Sequence, residues 1–186
     1  MDGNGKSTAI KGATGEFYVA SFLSALGFVV ALPRGGVPSS DLLVTNSNCS
    51  KAITIQVKTA TKPLNNDKKY GYGEYLSWSV SQKSKTIFGT SHWYAFVDIS
   101  GWPENRNFAE IYFVPSKDVS SQLETDWNNK DSTRLFYSIF KQVNKENEIY
   151  TIKKRNSEFY KGISGFKNLE LYLNHPQPDN QADGKR

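Results

Sequence analysis

Four residues in this chain have types and spacing suited to hydrolysing a phosphate ester: Glu16, Asp41, Gln56 and Lys58. Gln56 and Lys58 stand two apart in ITIQVKT, where Ile53, Ile55 and Val57 are apolar and Thr54, Gln56 and Lys58 are polar. Such a period of two marks a strand whose faces see different surroundings. A carboxylate beside an amide oxygen can bind a hard cation such as Mg2+, which prefers one or two carboxylates completed by water and substrate phosphate. A lysine next to that ion can orient or help deprotonate the attacking water and offset charge developing on the phosphate.

These residues can act together only if the elements carrying them meet. The spacing of Val19, Phe22, Leu23 and Leu26 predicts a helix over Thr14–Leu26, capped by Thr14 and stopped by Gly27. A short apolar run, Phe28–Leu32, leads into the Gly- and Pro-rich loop 34–38. Asp41–Thr45 and Ala52–Thr59, joined by the polar turn 46–50, read as a hairpin. Thr61–Tyr75 reads as an exposed loop, and strands are predicted at Leu76–Ser81, Trp93–Ile99 and Ala109–Val114. Pro115 and Ser116 open a helix near Val119–Trp127. Arg134–Phe140 and Glu148–Lys153 fit either strand or helix, and Glu158–Tyr172 is undetermined.

Within the hairpin, apolar must meet apolar, because a slip of one residue sends the oily set to the wrong face. Pairing Leu42 with Ile55 and Val44 with Ile53 satisfies this and sets Asp41 opposite Gln56. Lys58 follows on the same face, and Glu16 lies on the helix side shared with Val19, Ala20 and Leu23. Plainer readings exist: an acid in a first helical turn suits the dipole, Asp41 after Ser39-Ser40 suits a turn, and Lys58 suits a strand end. Helix face, register and strand alternation nevertheless agree on one cleft.

This constellation resembles the PD-(D/E)XK nuclease superfamily in its QxK form, the group I intron endonuclease and restriction endonuclease-like type. The likeness runs through KGATGEFYVASFLSALGFVV, PSSDLLV and ITIQVKTA, with a looser match in WYAFVDISG and IYFVPSKDV. It implies an α/β fold with a restriction-endonuclease-like core, a mixed central β-sheet flanked by helices in αβββαβ order. It also implies that Glu16, Asp41 and Gln56 surround a Mg2+ ion, for which Mn2+ can substitute, and that Lys58 assists the water. Ser40 replaces the proline of the motif's name, a change of backbone shape alone; Gln56 replaces an acid, which weakens a cation site.

The bulk properties are compatible with that reading. The chain's 186 residues suit one domain, expected over 1–173, with a disordered tail at 174–186. A net charge of +5 favours an anionic partner, here DNA. Lys62, Lys68, Lys69, Lys83 and Lys85 could follow a phosphate backbone; Tyr70, Tyr72 and Tyr75 could stack on bases or hydrogen-bond to phosphates, and Lys153-Lys154-Arg155 forms a second basic cluster. His92 beside Trp93 reads as structural. No apolar segment is long enough to span a bilayer, and the single Cys49 and the polar N-terminus point to a cytoplasmic protein. GNGKST at 3–8 is not expected to act as a phosphate-binding loop, because the four residues before Gly5 cannot form the buried strand such a loop needs. The expected activity is Mg2+-dependent DNA hydrolysis, possible in a homodimer that cuts both strands. A silent nuclease-fold module that binds DNA, or a protein-interaction domain, are the rivals.

Overall fold

Ser7 starts the first helix: its side-chain oxygen accepts the Ile10 N–H at 3.3 Å, and α1 runs over Thr8–Ala25. In the computed structural model the described residues are 7–34, 39–67, 73–87, 89–127, 134–140 and 160–174. Thr14 is therefore no cap. It lies within the helix, and its hydroxyl donates back to the Ile10 carbonyl at 2.8 Å. The serine offers a better cap seven residues upstream, and the intervening turns carry too few apolar residues for periodicity to register them. Gly15, Val19, Ala20 and Leu23 are the buried face.

Five strands form the main sheet: β1 (Val29–Ala31), β2 (Leu42–Thr45), β3 (Ala52–Ala60), β6 (His92–Asp98) and β7 (Glu110–Pro115). They lie in the order β1-β2-β3-β6-β7, and only β3 and β6 run parallel, so the sheet is mixed. A second sheet, β4-β5-β8, comprises β4 (Leu64–Asp67), β5 (Gly73–Ser81) and β8 (Arg134–Phe140), all antiparallel. The path from β3 to its parallel neighbour β6 runs through β4, β5 and a 3-10 turn at Gln82–Lys85. Helix α2 (Ser116–Asp126) follows β7, and α3 (Gly162–Asn174) ends the described chain.

Alternation along β6 divides the interior into two cores. Trp93, Ala95 and Val97 join Leu42, Val44, Ile53, Ile55 and Val57 beneath α1 and α3. Tyr94 and Phe96 point the other way, into a core with Trp78 of β5, Tyr137 of β8 and Leu123 of α2. Tyr94, Phe96 and Tyr137 stack in succession, with centroids 5.6 and 4.6 Å apart. Burial on both faces explains why WYAFV is apolar throughout, whereas β3, covered fully on one face only, alternates. Each large side chain so buried contributes about 1.5–3 kcal/mol, which fixes β3 firmly against both β2 and β6.

One expectation needs correction, and one open alternative is decided. Thr61–Tyr75 is not simply a loop: β4 pairs Leu64 with Leu76 and Asp67 with Gly73, so β5 begins three residues earlier than its apolar pattern. The Leu64 side chain is exposed, so β4 is held by backbone pairing and carries no apolar stripe to betray it. Arg134–Phe140 is a strand because Leu135, Tyr137 and Ile139 pack inward. Glu148–Lys153 lies outside the described residues, as does the expected tail apart from Asn174, the last residue of α3. No described helix is long and apolar enough to cross a membrane.

Candidate active site

The β2–β3 register is Leu42 with Ile55 and Val44 with Ile53, as apolar matching requires. One step beyond the ladder, the Asp41 N–H donates to the Ile55 carbonyl at 3.0 Å. Its side chain then turns along β3, and Oδ2 accepts the Val57 N–H at 2.7 Å. Asp41 thus stands in for the strand residue that would otherwise pair there. Two bonds to β3 hold it beside Gln56, and a carboxylate accepting a backbone N–H makes one of the stronger hydrogen bonds.

Helix α1 reaches the site through a close approach. A Cβ on Gly15 would lie 1.9 Å from Thr59 Oγ1, so only glycine lets the helix sit this near the end of β3. Glu16, the next residue, is the ninth of the helix, so the dipole at the helix start does not account for an acid there. Burial pushes its carboxyl above the ordinary value, the Asp41 charge pushes it further, and the Lys58 ammonium opposes both. Burial lowers the Lys58 ammonium, against the pull of Asp41 and then Glu16. Three residues from helix, loop and strand therefore share one electrostatic neighbourhood.

Gln56 and Lys58 are half-buried on the face of β3 opposite Ile55 and Val57, next to Tyr94 and Phe96 in the parallel register. Two carboxylates and the carbonyl of an amide can each offer an oxygen, the donor type a hard divalent cation prefers. The mutual repulsion of Glu16 and Asp41 is what such an ion would relieve, so these residues fit Mg2+ or Mn2+. Among the described residues there is no group of three or more His, Cys, Asp and Glu arranged to hold a metal. Glu16 and Asp41 are two acids, and a third donor would have to come from a neutral group such as Gln56.

The expected DNA contacts divide. Lys62 and Lys83 are exposed, whereas the Lys85 ammonium donates to the Trp127 carbonyl at 2.9 Å. Lys68, Lys69, Tyr70, Tyr72 and the 153–155 cluster lie outside the described residues. His92, which the sequence reads as structural, lies near enough to Asp41 to feel its charge. It pairs with Thr54 across β3–β6, its Nδ1 lies 2.8 Å from Thr54 Oγ1, and burial lowers its pKa against the opposing charge of Asp41. Only the parallel pairing of two distant strands brings it there, and no local pattern signals that pairing.

No protein-family model matches the chain, and no curated protein matches it. Its fold is similar to the solved structure of a bacterial homing endonuclease, at 14% sequence identity and a TM-score of 0.48, over 88% of this chain and 91% of that one.

Proposed function

We propose that the protein is a metal-dependent endonuclease of the PD-(D/E)XK type, in its QxK form, hydrolysing phosphodiester bonds in DNA. The observation that carries this reading is the shared electrostatic neighbourhood of Glu16, Asp41 and Lys58, delivered by three separate elements. Asp41 and Glu16 would hold a Mg2+ or Mn2+ ion, with Gln56 as a neutral donor. The bound ion would supply Lewis acidity and a more acidic water. Lys58, its proton loosened by burial, hydrogen-bonds the attacking water and balances charge growing on the phosphate. The net charge of +5 favours approach of a polyanion. Cutting both strands of a duplex calls for two such sites, which a homodimer would provide.

The test is nicking of supercoiled plasmid DNA. Wild-type protein with Mg2+ nicks it, and Asp41→Ala or Lys58→Ala slows nicking by about 100-fold or more. Equal rates in wild type and both variants reject the assignment.

Gln56 favours a second reading, a DNA-binding module that keeps the fold without catalysis, since a neutral amide holds a divalent ion less firmly than a carboxylate. Calorimetry at millimolar Mg2+ separates the two: DNA binding with no cation uptake supports the silent module.

A further inference from the structure

A cleft of about 330 Å³ opens one rung along the sheet from Asp41, between the β2–β3 surface and the turn leading into β6. Leu43, Thr54 and His92 form that rung, since Leu43 pairs with Thr54 and Thr54 with His92. Strand alternation places them on the face that carries Asp41 and Gln56, at a spacing of about 7 Å for two residues. We infer that this cleft takes the sugar and base of the nucleotide adjoining the cleaved phosphate, an inference that rests on the endonuclease reading.

Three observations support that occupant. The described lining has no Lys, Arg, Asp or Glu: it combines Leu43 and Ala52 with the hydroxyls of Thr54, Thr90 and Ser91. A phosphate therefore belongs at Lys58, and a neutral body with apolar faces and polar edges belongs in the cleft. Its volume lies at the lower end of small-ligand pockets, about 300–1,000 Å³, which suits a single nucleoside. The walls are also fixed in advance. Fully buried Ser116 donates to the Gly89 carbonyl and accepts the Gly89 N–H, both at 3.0 Å. The Thr54 N–H donates to the Ser91 carbonyl at 2.8 Å, and the contact of Thr54 Oγ1 with His92 orients the ring. Walls already ordered spare the ligand the cost of ordering them.

The experiment titrates the full-length protein, in Ca2+, with thymidine 3′,5′-bisphosphate and with deoxyribose 3′,5′-bisphosphate, which lacks only the base. Wild type should bind the thymidine compound roughly tenfold more tightly. Leu43→Trp, which fills the cleft, should bind both compounds alike, and Thr90→Trp, filling it from the opposite wall, should do the same if Leu43→Trp fails to fold. Equal affinity of wild type for the two compounds, binding of neither, or a base preference that survives in a folded cleft-filling variant overturns the inference. Plasmid nicking by the same preparations separates the two proposals: base preference without nicking rejects the endonuclease and leaves the cleft as a nucleoside site with no cleaved phosphate beside it, and nicking without base preference rejects only the cleft's occupant.

Discussion

The Asp41 carboxylate accepts the Val57 backbone N–H at 2.7 Å, so one acid both completes the β3 ladder and faces the site. The two roles separate by substitution. Asp41→Asn keeps an oxygen for the Val57 N–H and should unfold near wild type in urea, yet lose Mg2+ uptake and nicking. Asp41→Ala strands the N–H and should cost about 1–3 kcal/mol in addition.

Lys58 is held in a site that disfavours its charge, since burial lowers its pKa despite two nearby acids. Lys58→Met keeps the length of the side chain and removes the desolvation penalty. Its stability should equal or exceed wild type, with a thermal midpoint up to about 4 °C higher, while nicking falls by at least about 100-fold. A variant that is both less stable and fully active would place Lys58 in a structural role.

The raised pKa of Glu16 has opposite consequences for folding and for the cation. Because the folded value lies above the ordinary 4.5, the stability this group contributes is present below 4.5 and is lost as pH rises through the folded value. Cation uptake needs the carboxylate and should increase over the same window. Unfolding midpoints and calorimetric Mg2+ uptake measured across that window should therefore move in opposite directions, and Glu16→Gln should flatten both dependences. Lys58 does not confuse the acid side: its lowered value gives stability above 10.5 that is lost as pH falls through the folded value.

Gly15 sets how near α1 comes to β3. Alanine is the better helix former by about 1 kcal/mol, but here its Cβ would overlap Thr59 Oγ1, which is buried with no hydrogen-bond partner. Gly15→Ala should destabilise the protein by about 1–3 kcal/mol and weaken Mg2+ uptake by drawing Glu16 away from Asp41. Thr59→Ala in the same chain should restore part of both losses, as denaturant titration and calorimetry will show.

What the sequence made legible follows from the range of the interactions involved. The β2–β3 register was readable because Leu42, Val44, Ile53 and Ile55 all need one core, and only one alignment gives it to them. The mixed sheet flanked by helices was likewise expected. The early start of α1 was hidden, because Ser7 acts through a single cap and the next turns are weakly apolar. Strand β4 was hidden because Leu64 is exposed and its pairing is carried by the backbone. Parallel pairing of β3 with β6 joins residues 38 apart in sequence, Thr54 and His92, and so the cleft beside Asp41 had no local signature.

Crystals of the protein soaked in Mn2+, with the anomalous signal of the metal mapped, test the central claim most directly. The account predicts one manganese peak within ligand distance of both the Glu16 and Asp41 carboxylates, absent from Asp41→Ala crystals. No peak there under millimolar Mn2+, or a peak that persists unchanged in Asp41→Ala, would contradict it.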